Sequence, residues 1–417
     1  MTQSVAVVGG GAVGVTAAYD LARRGADVTL YERDEVAAES TGRAAGLLYD
    51  AYAEDVDARI AARAIERFEA FSGDGEFVFE RAPYVWFATE SGQAADAVAR
   101  DADEMRAQGL DVAHLRPDEL ESEYPALRTD DIAAAAVARN AGYTTPATYA
   151  DLLAAKAKDA GAEIREGTHA TVALDPVRVN GVEYDAVLVA AGAHTKPLLA
   201  DAGVRVPLKP YRVQALVASG LDIPLFWDAT RDYYARPHAR GVLAGDGTQR
   251  REFDPDAYDR SADDDFVEET LAKLRYRLPD ADISAERAWA GLCVATPDKN
   301  PLLGELRDGL FVAAGWQGHG FMRAPANRFS EPARKSSRST RRGSPARKSS
   351  ACARGATRTS SSGGRRAAFH RRVRRAPRPR PHRRLRGVQR GRPARERAPD
   401  TASRTPRGGR GTARYGL

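Results

Sequence analysis

Cysteine is scarce in this chain of 417 residues: there are two, Cys293 and Cys352, and methionine and tryptophan number only three and four. Two distant cysteines cannot form the disulfide framework of a small secreted protein, so we expect a reducing, cytoplasmic location. No uncharged apolar run is long enough to span a membrane, and we expect no signal peptide because a basic N-terminal region is missing. We also predict no metal site.

Charges of opposite sign are separated along the chain. Residues 327–417 contain 29 Lys and Arg against 3 Asp and Glu, whereas residues 1–326 contain 34 against 54. The first 326 residues are therefore strongly acidic, with a net charge of −20. Acidic surfaces of this kind repel themselves and gain from screening by salt. We hypothesise a halophilic host, which a titration of stability against salt tests.

The basic segment, residues 327–417, lacks periodic apolar residues and is rich in Arg pairs, Ser runs and Pro-Arg repeats. It cannot bury enough apolar surface to fold, so we predict a disordered tail. Three interpretations remain: an arm for nucleic acid or an acidic partner, loose contact with the acidic part, or out-of-frame translation of GC-rich DNA. We favour out-of-frame translation. The aromatic residues of the tail are isolated, which gives no reason to expect a nucleic-acid partner.

A strand, a glycine turn, a helix and a second strand open the chain. The β-branched run at residues 4–8 is typical of a strand buried on both faces of a parallel sheet. Glycines at G-x-G-x-x-G spacing follow, and Glu32 ends the second strand about twenty residues later, where its carboxylate can accept from ribose hydroxyls. The helix predicted over residues 13–24 would direct its N-terminus at a pyrophosphate. This pattern predicts an ADP-ribose site at the glycines, which are Gly9, Gly11 and Gly14.

Later segments supply candidate walls for a ligand site. A loop of small residues, the early loop, spans residues 39–48. A second buried strand ends in Ala-Ala-Gly at Gly192, as expected beside a nucleotide at the carboxyl end of a sheet. Thr145 and Pro146 predict the start of a helix, with Thr145 as N-cap. Aromatics and arginines alternate between residues 206 and 245, which predicts a sheet covering a pocket.

Two closing motifs complete the pattern: Thr-Pro-Asp-x-x-Pro-x-x-Gly from Thr296, and Gly-His-Gly-Phe from Gly318. Taken in this order along the chain, the glycine turn, the Ala-Ala-Gly strand end and the two closing motifs resemble the FAD-dependent D-amino-acid oxidase superfamily. The resemblance is to the sarcosine oxidase and glycine oxidase branch, in particular the β subunit of heterotetrameric sarcosine oxidases. It covers residues 4 to about 326.

The resemblance implies an α/β fold in which a Rossmann-type FAD domain is assembled from discontinuous segments. We assign residues 1–82, 146–205 and 287–326 to this domain, and residues 83–145 and 206–286 to a mixed-sheet α+β substrate domain. The residues expected to hold FAD lie in the glycine turn, the early loop, the Ala-Ala-Gly strand end and the closing motif. They are Gly9, Gly11, Ala12, Val13, Gly14, Glu32, Arg33, Ser40, Thr41, Arg43, Ala44, Ala45, Gly192, Gly318, His319, Gly320, Phe321 and Met322.

The chemistry implied is removal of a hydride equivalent from the carbon next to an amine of a small amino acid of the sarcosine, glycine or D-amino-acid type. The imine left behind then hydrolyses, and the electron acceptor is O2 or another carrier. We expect His319, Tyr234, Arg236 and Arg323 to contact the substrate. Relatives with covalent flavin carry a histidine where Arg43 stands, and Cys293 is displaced from the position of the flavin-linking cysteine. We therefore expect non-covalent FAD.

The carboxylate-binding residues of the relatives are missing from their usual positions. Arg323, Arg236, Arg212 and Arg43 are the substitutes that the sequence offers. Two alternatives to amine oxidation stay open: a flavin-dependent hydroxy-acid or polyol dehydrogenase, and an impaired flavoprotein whose basic tail binds nucleic acid. The sequence leaves the oligomeric state, homo- or hetero-oligomer, undecided.

Overall fold

The computed structural model describes residues 2–220, 223–245 and 248–327, and the predicted disordered tail lies outside them apart from its first residue. The described strands are β1 (Ser4–Val8), β2 (Asp27–Tyr31), β3 (Leu47–Tyr49), β4 (Phe79–Arg81), β5 (Tyr84–Ala88), β6 (Val112–Leu115), β7 (Ala134–Ala138), β8 (Ala141–Thr144), β9 (Glu163–Arg165), β10 (Val172–Ala173), β11 (Arg178–Val179), β12 (Val182–Glu183), β13 (Ala186–Val189), β14 (Lys209–Ala218), β15 (Leu225–Asp228), β16 (Tyr233–His238), β17 (Gly241–Gly245), β18 (Ala285–Ala295), β19 (Leu302–Arg307) and β20 (Leu310–Ala314).

The helices of the same residues connect these strands. They are α1 (Ala12–Ala22), α2 (Asp55–Phe71), α3 (Gln93–Ala107), α4 (Pro117–Glu123), α5 (Pro146–Asp159), α6 (Thr195–Asp201), α7 (Asp264–Arg277) and α8 (Gly320–Arg323), with short 3-10 turns at Gly192–His194 and Ala324–Ala326. Within the described parts of the chain, no helix has the length and apolarity needed to cross a membrane.

The first large sheet has six strands in the order β19-β20-β13-β1-β2-β9. Its strands run parallel except for β19, which pairs antiparallel with β20 at one edge. The last four residues of β1 and all of β13 are buried, which explains their continuous apolar sequence. On α1 and α5, Thr16 and Tyr149 join the two helices through hydroxyl groups 2.9 Å apart.

The second large sheet has eight strands in the order β18-β14-β17-β16-β15-β5-β7-β6. All of its pairs are antiparallel except β15 with β5. One face packs on a core that includes Phe87, Phe226 and Leu274 of α7. The strand β18 belongs to this sheet, although the predicted domain division places most of it with the FAD segments.

Two three-stranded sheets complete the fold. The order β3-β8-β4 joins the early loop to β8 by antiparallel pairing, so β8 pairs with two strands from the predicted FAD segments. The order β10-β11-β12 is a meander. The helix expected at Pro146 is present and Thr145 is its N-cap residue, as predicted, but the side chain of Thr145 makes no capping hydrogen bond. Its carbonyl oxygen instead accepts from Thr148.

Candidate active site

A cavity of about 690 Å³ is lined by residues of both large sheets. This size lies in the range of roughly 300–1,000 Å³ that is usual for small-molecule and cofactor sites. Its wall contains both the glycine turn after β1 and the closing segment before α8. The first and the last of the sequence motifs therefore line the same cavity.

The glycine turn is built for close packing. Gly9 has φ of +110°, and a side chain there would place its Cβ 2.6 Å from the Ala190 carbonyl oxygen. A Cβ at Gly14 would lie 1.8 Å from the Gly9 carbonyl oxygen, so α1 can approach β1 only because this residue is glycine. Gly14 does not line the cavity. Its contribution is the helix–strand contact, whereas Gly9 and Gly11 form part of the wall.

Glu32 closes the turn from the second strand. One carboxylate oxygen accepts from the amide of Gly10 at 2.6 Å, and the other accepts from the amide of Asp34 at 2.9 Å. Thr41 reaches the same region from the early loop, because its hydroxyl accepts from the Ala12 amide at 3.0 Å. These bonds hold the turn, the end of β2 and the early loop together around the start of α1.

Arg33 connects the cavity wall to the segment before α7. Its guanidinium lies 2.7 Å from a carboxylate oxygen of Asp256, and the same oxygen lies 2.9 Å from Nε2 of His194. Hydrogen bonds from Arg33 and His194 lower the pKa of Asp256 below its ordinary value. Both Arg33 and His194 line the cavity, so Asp256 fixes two wall residues that the sequence separates by 161 positions.

The early loop is fixed against the eight-stranded sheet. Ser40 donates to the carbonyl of Leu292 at 2.7 Å, and the indole of Trp289 donates to the carbonyl of Arg43 at 2.9 Å. The guanidinium of Arg43 lies 3.0 Å from Glu39. Arg43 therefore lines the cavity with its charge already paired.

The closing segment brings His319 into the wall immediately before α8. Burial and the nearby charge of Arg323 lower the pKa of His319 to about 4, so its imidazole is neutral at physiological pH. Its ring lies edge-on to Tyr52, with centroids 5.9 Å apart. A neutral imidazole can donate or accept one hydrogen bond, which suits a contact to a substrate amine or to a cofactor.

Cys293 and Tyr211 are direct partners on β18 and β14, and both line the cavity. Burial raises the pKa of the Cys293 thiol to about 11, so the thiol stays protonated at neutral pH. Burial, together with the neighbouring thiol, raises the pKa of Tyr211. Neither side chain is ionised at neutral pH.

The arginines that the sequence analysis expects to contact the substrate do not line the cavity. Arg236 is 5% exposed, does not line the cavity, and donates from Nε to the carbonyl of Ala45 at 2.6 Å. Arg323 is also outside the wall and pairs with Asp57 at 2.8 Å. Arg212 is buried against Asp263. Neither Arg236 nor Arg323 lines the cavity, whereas the sequence analysis expects both to contact the substrate.

The other predicted positions do lie in the wall. Tyr234 lines it from β16, and seventeen of the eighteen residues expected to hold FAD line it as well, Gly14 being the exception. Sequence analysis missed several aromatic wall residues because side-chain direction across paired strands depends on register. These are Tyr49, Tyr84, Tyr211, Trp227, Trp289 and Trp316.

Comparison with known proteins decides the family. A model of the family described as FAD dependent oxidoreductase matches residues 4–327. This chain belongs to the FAD-dependent oxidoreductase family. The predicted resemblance, the α/β fold of the described residues and the FAD cofactor are thereby confirmed.

Relatives of this FAD-dependent oxidoreductase include enzymes named for amine substrates. The chain is 28% identical to 4-methylaminobutanoate oxidase (formaldehyde-forming) of Paenarthrobacter nicotinovorans, over 76% of this chain and 42% of that protein. It is 24% identical to sarcosine oxidase subunit beta of Rhodobacter capsulatus, over 78% and 83%. The chain thus spans less than half the length of the first relative.

A solved structure supports the same fold. The crystal structure of L-proline dehydrogenase from P. horikoshii superimposes with a TM-score of 0.71 at 26% identity, covering 78% of this chain and 91% of that one. The wall of the cavity fits the family's cofactor: Gly9 and Gly11 leave backbone bare at the start of α1, and Glu32 lies beside them. Residues of the closing segment line the same cavity.

Proposed function

We propose that this FAD-dependent oxidoreductase oxidises the carbon next to the nitrogen of a small amine or amino acid, giving an imine that hydrolyses. The observation that carries the proposal is the continuous cavity from Gly9 and Gly11 to His319 and Tyr234. Its wall combines the features of a dinucleotide site with a neutral imidazole and an aromatic surface. Bound FAD supplies the acceptor for a hydride equivalent.

The first set of roles concerns the cofactor. Backbone amides at Gly11 and Val13 would face the pyrophosphate, since the helix N-terminus favours negative charge. Glu32 would accept from the ribose. Ser40, Thr41 and the backbone of Arg43 to Ala45 would line the flavin, and the segment from Gly318 to Met322 would close the site beside it. Gly192 would lie near the adenine half, and Arg33 beside the adenosine.

The second set of roles concerns the substrate. His319 and Tyr234 are the groups we propose to touch it, because both line the cavity. A neutral His319 can accept a hydrogen bond from the substrate nitrogen and orient its lone pair, which positions the adjacent C–H bond. Arg236 and Arg323 would act as positioning residues, Arg236 through the Ala45 carbonyl and Arg323 through the environment of His319.

The substrate domain would consist mainly of the eight-stranded sheet. In this proposal residues 83–145 and 206–286 cover the flavin, with β18 added from the segment that follows. Non-covalent attachment of FAD is part of the proposal, and it is supported by the raised pKa of Cys293, which keeps the thiol a poor nucleophile.

Anaerobic reduction of the bound flavin tests the proposed function. The purified protein should show flavin absorbance that bleaches with sarcosine, glycine or D-proline, and should not bleach with glycerol 3-phosphate. Reoxidation by O2 with release of hydrogen peroxide would identify an oxidase, whereas reoxidation only by a dye would identify a dehydrogenase. Denaturation should release all flavin into the supernatant.

Two outcomes contradict the proposal. Bleaching by glycerol 3-phosphate or a hydroxy acid, but by none of the amines, would assign the hydroxyl chemistry instead. A folded protein that cannot take up FAD when the cofactor is added would indicate an impaired flavoprotein. The panel therefore separates all three functions that the sequence leaves open.

A further inference from the structure

The helix α2 lies against two elements that contribute to the cavity wall. It packs on α8 and on the 3-10 turn that follows α8, and its Phe71 ring lies edge-on to Tyr19 of α1, with centroids 5.9 Å apart. Both α1 and α8 supply residues of the wall, whereas none of the described wall residues belongs to α2. Any effect of α2 on the cavity must therefore act through these two neighbours.

Arg67 of α2 binds both neighbours with one guanidinium. Its Nη1 and Nη2 atoms donate to the two carboxylate oxygens of Asp20 on α1, at 3.0 and 2.9 Å. Nη1 carries two N–H groups, and it also donates to the carbonyl oxygen of Pro325 at 2.6 Å, in the 3-10 turn after α8. The Arg67 and Asp20 side chains are only 23% and 11% exposed, so solvent screens their charges less than those of a surface pair.

Two other side chains of α2 hold α8 but do not bond α1. Asp57 pairs with Arg323 at 2.8 Å, and the ring of Phe68 packs on Phe321 with centroids 5.2 Å apart. These contacts fix α8 on α2. Of the three, Arg67 is the residue whose hydrogen bonds also join this assembly to α1.

The separation of α1 from α8 matters because FAD consists of two linked halves, ADP and riboflavin. In the arrangement proposed above, the ADP half lies at the start of α1 and the flavin half beside the segment that leads into α8. A ligand with two linked halves gains affinity from the second half only when the protein holds both subsites at the separation that the linkage spans. This separation should therefore affect the whole cofactor much more than the ADP half alone.

We propose that Arg67 is a positioning residue that holds α8 at a fixed distance from α1, with Asp20 and the Pro325 carbonyl as its partners, and that it thereby sets the affinity for FAD without contacting it. The planar guanidinium matches the carboxylate with two donors and directs a further N–H at the carbonyl. A lysine ammonium keeps the charge but not this fixed fork of donors. Arg67 would have this role whatever substrate the enzyme oxidises.

The Kd values for FAD and for ADP test this role on the full-length protein after removal of its flavin. Quenching of flavin fluorescence measures the Kd for FAD, and competition with FAD measures the Kd for ADP. In Arg67→Lys we expect the Kd for FAD to rise about tenfold, the effect of one lost hydrogen bond to a charged group. The Kd for ADP should change by less than about twofold, because ADP does not reach the segment beside α8.

Variants of the partner and of an unrelated arginine complete the test. Asp20→Asn weakens the bond to α1 from the other side, so it should also raise the Kd for FAD more than that for ADP. The two effects on the Kd for FAD should not add in the double variant, because both substitutions disrupt one cluster. Arg59→Met is the matched control: Arg59 lies on α2, is 72% exposed and pairs with Asp55 of the same helix, so both Kd values should stay at those of the wild type.

Several results would overturn the positioning role. Equal rises in Kd for FAD and ADP, or failure of both variants to fold as judged by circular dichroism, would show that the cluster supports the fold alone. An unchanged Kd for FAD in both variants, or no competition by ADP in the wild type, would also refute it. Wild-type protein that takes up no FAD would contradict the proposed function as well, whereas bound flavin that no amine reduces would contradict the proposed function only.

Discussion

Replacing Arg236 by methionine should loosen the early loop that lines the cavity. Arg236 is 5% exposed and donates from Nε to the Ala45 carbonyl and from Nη1 to the Pro237 carbonyl, each at 2.6 Å. Its guanidinium also lies 5.1 Å from the ring centre of Tyr143. Among the described residues it forms no ion pair, and burial lowers its pKa to about 10.

The size of the effect follows from opposing terms. Two part-buried carbonyls left without a donor cost about 1–3 kcal/mol each, and loss of the desolvated cation–π contact costs about 2 kcal/mol. Removing a charge whose pKa is depressed from 12.5 to about 10 returns about 3 kcal/mol. We therefore expect Arg236→Met to lower the free energy of unfolding by about 3 kcal/mol at the centre of these ranges.

Urea unfolding of the FAD-free protein, followed by tryptophan fluorescence, measures this change. Hydrogen exchange at residues 43–48 should quicken in the same variant, because the loop loses its support. Arg236→Lys should be no more stable than Arg236→Met, since lysine keeps the charge without the planar fork of donors. The matched control is Arg139→Met, an exposed arginine paired with Asp111, which we expect to change stability by less than about 0.5 kcal/mol.

A change below 1 kcal/mol in Arg236→Met, with exchange at residues 43–48 unaltered, would refute the positioning role. So would full recovery of stability by lysine, because that result would assign the effect to charge alone. A large loss of stability with unaltered exchange would show that Arg236 supports the fold without holding this loop.

Three further predictions concern the wall of the cavity. The pKa of His319 is depressed from 6.5 to about 4, so between these pH values the unfolded chain binds the proton more readily than the folded one. The free energy of unfolding should therefore fall by up to about 3 kcal/mol as the pH drops through that window. Urea unfolding at a series of pH values measures this fall, and in His319→Asn the free energy of unfolding should depend less on pH. Gly14→Ala places Cβ 1.8 Å from the Gly9 carbonyl oxygen, which should push α1 away from β1 at a cost in stability of about 1–3 kcal/mol or more. The purified variant should therefore contain little FAD, as measured by flavin absorbance. A flavin content equal to that of the wild type would contradict this prediction. Asp256→Asn breaks the ion pair with Arg33 and should raise the Kd for FAD about two- to fivefold at low salt. The change in Kd should be smaller at 1 M salt, because screening weakens the native pair. Titration of flavin fluorescence measures the Kd at both salt concentrations, and an effect that grows with salt would be inconsistent with this reasoning.

Local patterns in the sequence were enough for the first sheet and for the cofactor. The strand β1 occupies the predicted residues 4–8, and β2 ends at Tyr31, directly before Glu32. The glycine spacing and the acid at Glu32 concern residues close together in the chain. Backbone conformation and helix start are set within such short segments, which is why reading the sequence succeeds there.

Contacts between distant segments were harder to foresee. Arginine at position 236 was a reasonable candidate for the substrate, because nothing in the sequence shows that its guanidinium turns back to Ala45, 191 residues earlier. Likewise Thr145 stands at the N-terminus of α5, yet its side chain does not cap it. The choice among alternative hydrogen-bond partners depends on the packed structure.

The sequence by itself therefore determined the dinucleotide turn, the identity of the cofactor and the family, since these rest on motifs with fixed spacing. Only the tertiary structure decided which side chains share the cavity. Register places Trp227 beside Tyr234 and Gly245 beneath the phenol ring, and one residue of slip would turn each of them to the opposite face. Pairing between strands far apart in the chain fixes that register, so the aromatic wall exists only in the folded protein.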